Sequence, residues 1–253
     1  MIGAYFQCFK NPLATYKALE SFRRHYPDAP ILLLSDNGYN YTKMAEHFNC
    51  KYIHSSVSSP YIINYENDDE KYRESAHKLV QRFVSAFEDE CFIRCKYIML
   101  LEDDVKVHMK IDESFLEQDA DLFGNNPNMF DKNLIREIKQ MDKSYDYLNE
   151  NGDYRWSGHG GSLYKRETFI KYFRNEKIVK DIVDACVKFR GTYFSTNICQ
   201  DMMFSLILIA AGGTIKRLFG HYDHSISNCI VQHQLKYYYN QPMPKELQHL
   251  VEM

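Results

Sequence analysis

Glu102, Asp103 and Asp104 stand side by side where the hydrophobic run Tyr97–Leu101 ends, in the stretch YIMLLEDDVKV. Adjacent carboxylates repel one another and resist losing water, so a cluster delivered by a buried strand costs stability unless a cation joins it. Grouped hard oxygen ligands favour Mg2+ or Mn2+ over softer metals, and Mg2+ is commonly completed by substrate phosphates. The cluster therefore implies a divalent cation and a phosphate-bearing ligand. The competing reading is a solvated acidic turn, which would hold a metal only weakly. Asp36 ends a second apolar run, ILLLS, inside the turn signal Asp36-Asn37-Gly38. Asp201, in CQDMMF, opens a third apolar run. It can act as a base or simply favour a helix amino terminus.

These groups need elements to carry them. IGAYFQCF (2–9) reads as a strand, and Asn11 is placed to cap the helix that follows, with Pro12 in its first turn. Leu13, Tyr16, Leu19, Phe22 and Tyr26 recur at helical spacing. Pro30 leads into the strand ILLLS; a short helix (42–48) and a short strand (51–54) follow. A long helix then shows Tyr72, Ala76, Leu79, Val80, Phe83 and Phe87 on one face, ahead of the acidic strand. Strand–helix alternation with continuous apolar strands predicts a mostly parallel sheet covered on both faces. Ligands of such sheets bind beyond the carboxyl ends of the strands, where Asp36 and Glu102–Asp104 fall. From 112 to 155 the pattern weakens, with a helix predicted near 133–148. WSGHGGSLYKRETFIKYF (156–173) reads as a glycine-rich turn, a short strand and a helix. NICQDMMFSLILIAAGG (197–213) reads as an apolar helix stopped by Gly212-Gly213, and the tail from 220 is rich in His and Tyr.

The whole chain bounds what these groups can serve. Its 253 residues, with 45% hydrophobic and 26% charged, suit one large folded domain. A net charge of −3 gives no footprint for nucleic acid. No run approaches the roughly 18 to 20 apolar residues of a membrane span. MIGAYFQCFK does not read as a signal peptide. Seven cysteines without regular spacing, Cys91 and Cys95 forming a lone C-x3-C, favour reduced thiols in a cytoplasmic setting. The expectation is a cytoplasmic protein, or a soluble catalytic domain of a longer one. Twenty tyrosines suit sugar contact and core filling equally well.

LLEDDV after a hydrophobic strand resembles the D-x-D signature of glycosyltransferases with the GT-A fold. The all-acid form is similar to that of the family 25 transferases and of the N-acetylglucosaminyltransferase type that begins complex N-glycans. The order of features is similar along most of the chain, but only the acidic stretch is a specific motif. The resemblance implies an α/β, Rossmann-like GT-A domain over 1–253, with a donor half (1–111) and an acceptor half with the tail (112–253). It implies Mn2+ or Mg2+ on Asp104, and on Glu102 directly or through water, with Asp103 near the donor ribose. Asp36, with Gln7 and Phe9, would reach the base or ribose, and His77 is a further candidate for the base. His221 would supply an imidazole to the metal, with His224 and His233 as rivals. Asp201 would be the base of an inverting enzyme, whereas a retaining enzyme needs none. WSGHGG resembles the glycine-rich acceptor turn, which puts Gly160 and Gly161 near the acceptor. Trp156 would stack there on a sugar or serve as a core anchor, and His159 would contact sugar or phosphate or be satisfied locally.

The reaction implied is transfer of a sugar from a nucleotide-diphosphate sugar to a hydroxyl of a glycan or other acceptor. The alternatives are a non-catalytic nucleotide-sugar-binding module, a nucleotidyltransferase that makes sugar nucleotides, and a metal-dependent phosphoesterase. QCFKNPLATYK lacks the glycines of a nucleotidyltransferase loop, and the phosphate-binding G-x-x-x-x-G-K-[ST] and dinucleotide-binding G-x-G-x-x-G patterns are both missing.

Overall fold

The computed structural model describes residues 1–58, 65, 67–125, 128–157, 160–194, 198–222 and 228–252. The first half alternates strand and helix: β1 (Ile2–Cys8), α1 (Pro12–His25), β2 (Ile31–Asp36), α2 (Thr42–His47), β3 (Lys51–Ser55), α3 (Asp69–Phe87) and β4 (Tyr97–Leu101). Shorter pieces follow: β5 (Lys106–Val107), α4 (Glu113–Leu116), β6 (Leu122–Gly124), β7 (Asn128–Met129), α5 (Lys132–Met141), β8 (Arg155–Trp156) and β9 (Leu163–Lys165). Three helices come next: α6 (Arg166–Phe173), α7 (Glu176–Phe189) and α8 (Gln200–Ala210). The last strands are β10 (Ile215–Arg217), β11 (His221–Tyr222) and β12 (Val231–Gln232).

Seven strands form the central sheet in the order β10-β6-β9-β4-β1-β2-β3. Every neighbouring pair is parallel except those of β9, which runs antiparallel to β4 and β6. The mostly parallel α/β sheet read from the sequence is therefore the architecture. Side chains alternate across it as a strand requires. Tyr5, Leu32, Leu34, Ile98 and Leu100 enter a core closed by α3 and α5–α8. Ala4, Phe6, Ile31, Leu33, Met99 and Leu101 enter a second core closed by α1, α2 and the tail.

Two local details set up the site. Asp68 caps α3, accepting from the Lys71 amide at 3.0 Å, and α3 buries the predicted stripe from Tyr72 to Phe87. Pro12 opens α1 as expected, but Asn11 makes no side-chain cap; its Nδ2 donates to Asp103 Oδ2 at 2.7 Å. The helix loses a cap and the acidic cluster gains a fixed partner.

α8 is anchored by rings. Phe204 lies edge-on to Phe83 at 5.1 Å and to Phe173 at 5.0 Å, and Phe169 stacks on Phe173 at 3.9 Å. Phe204→Ala is expected to cost about 3–5 kcal/mol in chemical denaturation, because the cavity would lie among rings that cannot collapse into it. A loss below about 1 kcal/mol would mean that other contacts hold α8. No described helix is long and apolar enough to cross a membrane.

Candidate active site

Parallel pairing of β1 with β2 and β4 brings three carboxyl ends to one edge: Cys8 is opposite Ser35, and Phe6 is opposite Leu101. Residues just beyond those ends therefore meet. A cleft of about 540 Å³ opens there, lined by Gln7, Phe9, Asp36, Glu102, Asp103 and Gln200, with Tyr5, Leu79, Phe83 and Leu100 as its apolar wall. Of the donor-side residues expected from sequence, His77 stands apart: it is half-buried on α3, outside this lining.

Glu102, Asp104 and His233 each offer one ligand atom within 4.8 Å of the others. His233 Nε2 lies 3.4 Å from Glu102 Oε2 and 3.5 Å from Asp104 Oδ1. Asp104 is 5% exposed, and its Oδ1 is buried with no hydrogen-bond partner among the described residues. Burial first, then the Glu102 charge, pushes the Asp104 carboxyl up to about 6, while the His233 imidazole pulls it back. Two carboxylates, one of them carrying the orphaned Asp104 Oδ1, and one imidazole fit a divalent cation. Asp103 is engaged differently. It accepts from Asn11 and from the Tyr239 hydroxyl, and burial raises its carboxyl.

His233 reaches the cluster because the tail returns to the acidic turn. β12 pairs antiparallel with β5, Gln232 opposite Lys106, directly after the acidic residues. The Leu235 amide then donates to the Asp104 carbonyl at 2.9 Å. His221, the imidazole first expected at the metal, lies outside the ligand group; it is fully buried, with Nε2 at 3.0 Å from the Gly160 carbonyl oxygen. His159 and His224 fall outside the described residues.

Across the cleft Asp36 is held from two directions. Gln7 Nε2 donates to its Oδ2 at 3.0 Å, and Arg82 donates to its Oδ1. Arg82 also donates to the Val57 carbonyl at 2.8 Å, and the Tyr5 hydroxyl donates to Gln7 Oε1 at 3.1 Å. Phe9, 47% exposed, presents its ring at the mouth. Sequence reading missed Arg82; its only signal is a cation beside the apolar stripe of α3, three residues after Leu79.

The glycine turn presses on the acidic cluster itself. A Cβ on Gly160 would collide with Val105 and approach Glu102 Oε2 at 3.1 Å. Gly161, at φ +93°, donates its amide to the Leu100 carbonyl at 2.6 Å. Trp156 is half-buried on β8 and packs against the first core. Ser157 is tied to α8, its amide donating to Ser205 Oγ at 2.9 Å.

Asp201 is the second residue of α8, behind Cys199 at the cap position and Gln200 in the cleft lining. Burial, then the charges of Asp201 and Glu102, raises the Tyr164 hydroxyl well above its usual value. That hydroxyl is buried without a hydrogen-bond partner among the described residues. Asp201 and Glu102 thus both act electrostatically on one buried tyrosine.

No family model matches the chain, and no curated protein matches it. Among solved structures, the apo form of mouse xyloside xylosyltransferase 1 is similar over 96% of this chain and 100% of that one, at TM-score 0.50 and 13% identity. Galactosyltransferase LgtC, in complex with donor and acceptor sugar analogs, is matched over 99% of this chain and 100% of that one, at TM-score 0.48 and 14% identity. Identity this low speaks to architecture alone, and on the first of these likenesses the chain has the GT-A fold.

Proposed function

We propose that the protein is a metal-dependent glycosyltransferase, moving one sugar from a nucleotide-diphosphate sugar to a hydroxyl of a glycan or other acceptor. The observation that carries this is the Glu102–Asp104–His233 group, with its orphaned buried oxygen, meeting the cleft at the strand ends. These three residues would hold Mn2+ or Mg2+, which would offset charge gathering on the departing diphosphate. Asp103, fixed by Asn11 and Tyr239 at the cleft wall, would lie near the donor ribose. Gly160 lets the acceptor turn lie close against Glu102.

Gln7 Nε2 and Arg82 both donate to Asp36, and their remaining N–H groups beside its spare lone pairs would offer a base the order donor, acceptor, donor. The imide edge of uracil or thymine reads acceptor, donor, acceptor and complements it, whereas guanine ends in two donors. With Mn2+ present, UDP or dTDP is expected to bind at least about tenfold more tightly than GDP or CDP by calorimetry. Equal affinities would remove Asp36 and Arg82 from base recognition.

As the bond to the diphosphate breaks, the sugar becomes oxocarbenium-like. An acceptor hydroxyl then attacks while Asp201 takes its proton, so the product anomer is inverted. One observation favours a second course. Gln200, whose amide cannot take a proton, lines the cleft in place of Asp201. That arrangement suits retention, and the anomer of the product, read by NMR, decides between the two.

The test of the class is release of nucleoside diphosphate from UDP-, dTDP- and GDP-sugars, with Mn2+ or with EDTA. Metal-dependent release from one donor is expected. Binding without release would make the protein a nucleotide-sugar-binding module, and pyrophosphate formation from a nucleoside triphosphate would make it a nucleotidyltransferase.

A further inference from the structure

Behind the acidic turn lies a second, smaller cavity of about 200 Å³, walled by one face of α1, by β5 and its flanks, and by the tail at Leu235 and Tyr238. Asp103 lines both cavities, so the two meet across a single side chain. The lining is rich in cations. Lys17 lies two turns before Arg24 and His25 on α1, and Lys106 and His108 alternate onto the same side of β5 and its extension.

Its carboxylates are already engaged. Glu20 pairs with Lys17 at 3.0 Å, and Asp103 is held by Asn11 and Tyr239. His108 shares a hydrogen bond with Gln232 at 3.1 Å. Arg24 and Lys106 have no side-chain partner among the described residues. Burial, with the charges of Arg24 and His108, holds His25 below its usual range, a sign that these cations crowd one another. Arg24 and His25 complement the dipole at the end of α1. Lys106 belongs to another element and gains nothing from that dipole, yet it faces the same space. Cations gathered from two elements around a polar cavity repel one another until an anion joins them.

We propose that this cavity is an anion site, taking an oxyanion of the phosphate class between Arg24 and Lys106 on the far side of Asp103 from the sugar-nucleotide cleft. Several times the volume of one water, it has room for such an ion. Arg24 offers forked N–H donors and Lys106 a point charge, the usual pair of contacts for phosphate. Leu235 and Tyr238 belong to the tail that delivers His233, so an anion here also braces that segment.

The test is calorimetry with inorganic phosphate, and in parallel with glycerol phosphate, always in EDTA so that no metal recruits phosphate to the cleft. Wild type and Asp104→Asn are expected to bind alike, and Arg24→Gln with Lys106→Gln to bind about a hundredfold more weakly, near tenfold per cation lost. Lys106→Gln alone should show the intermediate loss, and the phosphate-free melting temperature of each variant reports whether it folds. Binding of both ligands marks the end group of a larger phosphate ester, and binding of inorganic phosphate alone marks the free ion. Equal binding by wild type and the double variant, or no binding by wild type, overturns the proposal. Loss in Asp104→Asn alone would place the phosphate in the cleft and overturn it too, leaving the glycosyltransferase reading intact.

Discussion

Asp104→Asn is expected to reduce metal-dependent turnover by about three orders of magnitude or more, while raising the melting temperature of the metal-free protein. The two effects share a cause. Asp104 is 5% exposed, and its charge faces Glu102 in a buried setting. Without a cation that charge is a burden, and asparagine removes it while keeping the shape. With a cation it is the ligand whose loss leaves one carboxylate and one imidazole. The sign of the pH dependence follows. The folded Asp104 carboxyl titrates near 6, above its usual 3.8, so the folded state holds the proton more tightly. Its contribution to stability is present below the unfolded value and lost as pH rises through about 6. The advantage of the asparagine variant should therefore grow between about pH 4 and 6 and level off above. Mn2+ should stabilise wild type increasingly over the same window, since protons no longer compete for the ligand. Thermal melts with EDTA or Mn2+ at about pH 5 and 7.5 check all of this. A variant with unchanged melts and a retained Mn2+ response would dissolve the metal site.

Asp201→Asn is expected to slow transfer by about two to four orders of magnitude, with donor and Mn2+ affinity unchanged. Asp201 sits in the first turn of α8, outside the group that would hold the metal, and asparagine keeps its shape and its place there. What it removes is a carboxylate one residue behind the cleft lining, near Tyr164. A slowed enzyme whose product is inverted assigns Asp201 as the base. If the product keeps the donor's configuration, Asp201 instead orders Gln200 at the cleft. Transfer at the wild-type rate would leave Asp201 only its favourable place in the dipole of α8.

Much of this centre could be read from the letters because buried parallel strands announce where they end. Gln7, Phe9, Asp36, Glu102 and Asp103 lie at or just beyond the ends of three such strands and share one cleft. What eluded the sequence depends on long-range pairing. His233 follows a two-residue strand, too short for any periodic signal, and nothing nearby in sequence sets it apart from His221. Asn11 looks like a cap by local rules, yet Asp103, far along the chain, claims its amide. Arg82 reads as the polar flank of an amphipathic helix until β2 brings Asp36 beneath it. The sequence reading assigned no element to the stretch that forms α7, although its apolar spacing (Val179, Ile182, Val183, Cys186) is helical.

Of the three residues proposed to hold the metal, two are synthesised far ahead of the third. Glu102 and Asp104 emerge before half the chain is made, but His233 comes after β10, the last strand of the central sheet, and is held by the β5–β12 pairing. A ribosome-bound chain that has released everything through β10 would own the complete sheet, the donor cleft and the carboxylates, but lack the imidazole. Metal capture at this group would thus wait until the segment through His233 has joined a sheet that is already complete.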